Sequence, residues 1–182
     1  ILFKKKYEKQ FDENDQHLLD KIQNLELPYF FPKNSLLDGY NTSQPKKSHG
    51  FVDVYDFYTK RNLLVLSAIW SEFKHDLNLR LLFTSICSSL SSKLVRYNLG
   101  NRGNGILNGT LYVSSLNAET NVFKLLKGKT NDISKALNLI KENQLTYVGS
   151  ASNTSAKNNS IDYIFTDPPF GANIMYSELN FI

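Results

Sequence analysis

The feature that most constrains this chain is a change of hydrophobic rhythm towards its C-terminal end. Up to about residue 143 the longest apolar patterns, over 12–25, 59–73, 76–90 and 131–143, recur at helical spacing. Two short apolar runs follow, 145–148 and 161–166, the second ending in Thr166-Asp167-Pro168-Pro169. Runs of this length, rich in aromatic and β-branched residues and bounded by turn formers, read as strands. Helix, strand, polar connection (149–160) and strand in that order is the grammar of a parallel α/β sheet. The proline pair also sets where the second run must stop. Each proline fixes φ and removes an N–H, and the residue before a proline is pushed to extended geometry.

Upstream, the pattern is helical and cap-rich. Residues 12–25 place Leu18, Ile22 and Leu25 on one face, the spacing of an amphipathic helix. Residues 27–49, with Pro28, Pro32, Gly39 and Pro45, read as an irregular connector around the aromatic cluster Tyr29-Phe30-Phe31, which is weighed as a packing anchor rather than a base-stacking platform. Thr59 is placed to cap a helix with Leu63, Leu66, Trp70 and Phe73 on its inner stripe. Asp76 is placed to cap another, bearing Leu79, Leu82, Phe83, Ile86 and Leu90. The glycines of 100–105 precede the β-type segment 110–113, the wrong order for a phosphate cradle, so a loop is expected there. A third helix is expected over 131–143, with Ile133, Leu137 and Ile140 inward.

Composition removes several function classes. With 41% apolar and 21% charged residues, 182 residues suffice for a core. The net charge of +4 permits an anionic partner without requiring one. Cys87 is the single cysteine, so internal disulfides and cysteine-based zinc spacing are excluded. His17, His49 and His75 share no ligand spacing, and no metal is expected. No apolar run approaches the length of a bilayer span, and nothing resembles a secretory leader, so no membrane partner and a cytoplasmic location are expected. Lys60, Arg61, Lys93, Arg96 and Arg102 read as a solvated surface rather than a phosphate track. The ends, Ile1 and Leu179-Asn180-Phe181-Ile182, are apolar without stop signals, and a piece of a longer protein is expected.

The corner at Asp167 carries the chemistry. Two prolines without N–H groups leave carbonyl oxygens beside a carboxylate, followed by the flat ring of Phe170 and a glycine, Gly171. The exocyclic amine of a nucleobase is a poor nucleophile because its lone pair is delocalised into the ring. A carboxylate and a carbonyl that accept both of its N–H groups let the nitrogen become tetrahedral and present that lone pair. The base must first leave the helical stack, at a cost of a few kcal/mol, and stacking on an aromatic ring returns on the order of 1–3 kcal/mol. The bland alternative is a rigid turn.

The run Ile161-Asp162-Tyr163-Ile164-Phe165-Thr166-Asp167-Pro168-Pro169-Phe170-Gly171 resembles the catalytic Asp-Pro-Pro-Tyr/Phe motif of the amino-group DNA methyltransferases, which methylate adenine N6 or cytosine N4. The resemblance implies that Asp167, Pro168, Pro169 and Phe170 engage the target base and that S-adenosyl-L-methionine is the cofactor. The aspartate form favours adenine. Gly149-Ser150-Ala151 is similar to the segment that contacts the cofactor adenine, with Ser150 where the family usually has aspartate. Tyr29-Phe30-Phe31-Pro32, Asp56 to Leu64, Gly109-Thr110-Leu111-Tyr112 and Asn173 to Leu179 are similar to segments of large bacterial DNA methylases. That group's glycine-rich cofactor motif does not occur in these residues.

The expected fold is therefore α/β, a partial Rossmann-like methyltransferase domain with a largely helical insert. Its divisions are an N-terminal helical segment (1–26), a connecting helical insert (27–128) and a partial catalytic core (129–182). The expected activity is DNA methylation at an exocyclic amine, adenine N6 first, with the 182 residues inactive alone. Double-stranded DNA with a flipped base is the expected partner, and a cognate restriction endonuclease is a candidate one. The alternatives are a transfer-RNA guanine N2 methyltransferase and a non-catalytic nucleic-acid-binding or interaction module.

Overall fold

The computed structural model describes residues 9–97, 105–139, 149–150, 152–168 and 175–180. Their regular structure is helical: α1 (Glu13–Asn24), α2 (Tyr40–His49), a 3₁₀ turn (Val54–Phe57), α3 (Lys60–Phe73), α4 (Leu77–Ile86) running into a π turn (Cys87–Ser91), α5 (Val122–Leu137) and the short α6 (Tyr176–Leu179).

The caps expected at Thr59 and Asp76 are in place, and Asp12 supplies a third that the spacing alone does not indicate. Asp12 forms a reciprocal capping box with Asp15 at α1, Thr59 accepts from the Asn62 N–H at α3, and Asp76 accepts from Asn78 and Leu79 at α4. Each satisfies a backbone donor that a helix start leaves without an intrahelical partner. Two results differ from the pattern reading. The first is α2, which forms within the supposed connector despite Pro45 and ends at Gly50 in the left-handed region (φ 68°), where glycine escapes the Cβ penalty. The second is α5, which begins at its cap Asn121, ten residues before the expected start at 131.

Two apolar clusters hold these elements. One gathers Leu36, Phe51, Val54, Phe57, Leu94, Leu111 and Val113; the other joins α3, α4 and α5 through Leu66, Ile69, Ile86 and Val122. Phe51 and Phe57 meet edge to face, with centroids 5.0 Å apart and planes at 79°. Asn62, buried in α3, donates to the Ser91 and Thr120 carbonyls at 2.9 and 3.4 Å, tying the helix to the π turn and to the α5 approach.

The α/β expectation is corrected here. The described residues build no strand and no sheet; only isolated bridges occur, Ser35 with Asp53 and Arg96 with Gly105 and Asn117. A parallel sheet buries its strands on both faces, whereas 161–168 has no regular structure, bends at Asp162 and is exposed throughout. Tyr163, Ile164 and Phe165 are 80%, 74% and 81% exposed. An apolar run becomes a strand only through non-local backbone pairing, and no described backbone pairs with this one. Residues 110–113 are likewise no strand: Leu111 and Val113 are buried, but the Val113 N–H and C=O are taken by the Gln44 side chain at 3.0 and 2.9 Å. The expected strand at 145–148, the loop glycines 100 and 103, and the end of the expected helix at 140–143 lie outside the described residues. Among the described residues no helix is long and apolar enough to cross a membrane.

Candidate active site

Of the residues singled out in the sequence, Asp167 and Pro168 are described and exposed at the end of the segment 161–168. No hydrogen bond or ion pair joins Asp167 to another described residue, which leaves its carboxylate open to an incoming N–H. Pro169 and Phe170 lie outside the described residues, and the carboxylate of Asp167 and the carbonyl of Pro168 are neighbours by sequence alone. Gly149 and Ser150 are also exposed, and Ala151 lies outside. Ser150 is engaged locally: its hydroxyl is 2.9 Å from that of Ser152 and its carbonyl accepts from the Asn153 N–H at 3.2 Å. Ser150 is thus part of a turn. Gly149 and Ser150 border neither of the two cavities described below.

The basic residues are held by internal partners. Lys60 Nζ donates to the Gln23 carbonyl at 2.6 Å. Arg61 pairs with Glu119, which also accepts from the Thr59 hydroxyl at 2.6 Å. Burial acts to raise the Glu119 carboxyl, but the hydrogen bonds from Arg61 and Thr59 and the Arg61 charge hold it below its ordinary value. Lys93 Nζ donates to the Asp56 carbonyl at 2.8 Å and lies 4.9 Å from the Phe51 ring centroid; burial lowers its pKa against the opposing Asp56 charge. Arg96 donates to the Gly105 and Ile106 carbonyls. Arg102 lies outside the described residues. Lys60, Arg61, Lys93 and Arg96 are thereby committed to holding loops and helix ends.

Two cavities border Tyr58, which packs against both apolar clusters. One of about 920 Å³ is bordered by the residues after α1, by Lys33 and by Lys93. Another, of about 350 Å³, is walled by Phe30, Phe31, Trp70, Phe83 and Cys87. Burial pushes the Cys87 thiol up to about 12 and raises the Tyr58 phenol as well, with the Cys87 charge adding to the second effect. Both groups are therefore neutral near pH 7, and a protonated thiol is a poor nucleophile. Phe31 meets Tyr55 edge to face at 5.5 Å, the packing anchor read from the aromatic cluster.

The sequence reading passed over Gly39 and Glu178, which meet at the start of α2. A signal was present: Gly39-Tyr40-Asn41-Thr42 opens a helix with neither a side-chain cap of its own nor an acid in its first turn. Its donors therefore need an acceptor from elsewhere. Neither a protein-family model nor a curated protein nor a solved structure matches the chain.

Proposed function

We propose that this chain carries the target-base segment of an S-adenosylmethionine-dependent DNA methyltransferase that acts on an exocyclic amine, adenine N6 before cytosine N4. The observation that carries the reading is the pair of acceptors at the end of the apolar run: an exposed Asp167 carboxylate with no partner among the described residues and, one residue on, the carbonyl of Pro168. Asp167 accepts one N–H of the amine and Pro168 the other, and the nitrogen pyramidalises with its lone pair facing outward. Phe170 supplies the stacking face for the extruded base. S-adenosylmethionine supplies the electrophilic methyl group. The proposal is confined to activation of the amine.

The test is a labelled-methyl transfer assay in the natural protein carrying these 182 residues, with duplex DNA and transfer RNA offered separately and the product base identified by mass. N6-methyladenine in DNA, lost completely on Asp167→Ala with cofactor binding retained, is the expected outcome. Full turnover by Asp167→Ala would sink the assignment. Label in guanine N2 of transfer RNA would move the substrate to RNA. Absence of transfer, with DNA retention insensitive to Asp167→Ala, would make the segment a non-catalytic interaction module, a reading the exposed Tyr163, Ile164 and Phe165 side chains favour.

A further inference from the structure

Helix α2 is capped across 137 residues of sequence. The Glu178 carboxylate accepts the Asn41 N–H at 2.7 Å through one oxygen and the Tyr40 N–H at 3.2 Å through the other. These are first-turn donors without intrahelical partners, at the positive end of the helix dipole, where a carboxylate is favoured. Gly39 is what admits it. Its backbone is extended (φ −173°), a conformation open to any residue, so glycine serves here by leaving space. A Cβ at Gly39 would stand 2.1 Å from one Glu178 carboxylate oxygen and 2.4 Å from the carboxyl carbon. Next to Glu178, the half-buried Leu179 packs against the cluster around Phe57.

The consequence falls on α6. Isolated helices shorter than about 12–15 residues are marginal in water, and α6 has four; its shape is maintained by docking. Pro168 lies seven residues before Met175, so the chain itself keeps it within about 25 Å of that residue, and docking of α6 fixes that reference point at the start of α2. We propose that Glu178 is a positioning residue: with Gly39 as its seat, it anchors the chain beyond Asp167 and Pro168 to the start of α2. The bearing on methylation rests on the reading of Asp167 given above; the anchor itself does not.

Amide hydrogen exchange on the full chain tests it. Glu178→Ala should speed exchange at Tyr40 and Asn41, and also at Leu179 and Asn180, by about tenfold, the scale of one charge-assisted hydrogen bond. Glu178→Gln retains one acceptor oxygen and should recover part of the protection. Gly39→Ser separates the anchor from the helix: its side chain evicts the carboxylate and caps α2 itself, so exchange should rise at Leu179 and Asn180 while α2 stays helical. Exchange at Leu179 and Asn180 within twofold of the parent in both Glu178→Ala and Gly39→Ser would overturn the anchor. In the methyl-transfer assay, Glu178→Ala should reduce kcat about tenfold, with partial rescue by Glu178→Gln. Retained turnover by Asp167→Ala alongside faster α6 exchange in Glu178→Ala would remove the target-base reading and leave the anchor standing.

Discussion

Two phenylalanines decide whether this chain is held together by helices or by a sheet. Phe57 is fully buried, 0% exposed, and Phe165 is 81% exposed. A buried aromatic side chain removes roughly 150–250 Å² from water. At about 25 cal/mol per Å² the upper limit is roughly 4–6 kcal/mol, and core Phe→Ala substitutions cost about 3–5 kcal/mol. Phe57→Ala should therefore remove about 3–5 kcal/mol, a large part of the roughly 5–15 kcal/mol that holds a domain. In urea that is a midpoint lowered by about 2 M at unchanged slope. The edge-to-face contact with Phe51 should appear as a coupling of about 0.5–1.5 kcal/mol in a double-mutant cycle. Phe165→Ala should stay within about 0.5 kcal/mol of the parent. If Phe165→Ala costs as much as Phe57→Ala, the run 161–166 is buried in a sheet and the helical account of the core fails.

Gln44→Ala should cost about 1–3 kcal/mol, because it strips the Val113 N–H and C=O of their only described partners in a half-buried setting; Gln44→Glu should recover the bond to the N–H but not the one from the side-chain amide. The Glu119 carboxyl is held below its ordinary value of 4.5 in the folded chain. Its contribution is present in full above that value and lost as pH falls through the folded pKa. The pair with Arg61 is surface-exposed, so the gain is under about 1 kcal/mol. Comparing chemical denaturation at pH 7 and pH 3 should show a smaller acid destabilisation in Glu119→Gln than in the parent, and an equal one would show that the pair contributes nothing.

Local signals were legible and non-local ones were not. Thr59 and Asp76 announced their helices because a cap is a contact between residues two or three apart. Leu63, Leu66, Leu82 and Ile86 announced the buried faces through spacing alone. Helix α2 was hidden because Pro45 argues against a helix locally, while the acceptor that completes its start arrives from Glu178. The run 161–166 was over-read for the complementary reason. Its composition states a capacity to pair, and pairing depends on a neighbour that sequence order does not supply. The acceptors at Asp167 and Pro168 were legible as chemistry, since proline's missing donor is a covalent fact. That Asp167 stands exposed with no described partner was not.

That exposure separates stability from function. Phe57, Ile86 and Val113 are fully buried, and a substitution there acts through packing. Asp167 and Pro168 touch neither apolar cluster and hold no described side chain in place. Glu178 lies between these extremes, half-buried and joined to α2 by two hydrogen bonds. A loss of activity on Asp167→Ala with an unchanged urea midpoint therefore belongs to the chemistry of the site. A loss on Gly39→Ser, with α2 intact, belongs to its placement. A loss on Phe57→Ala carries neither meaning, because the whole helical scaffold weakens with it.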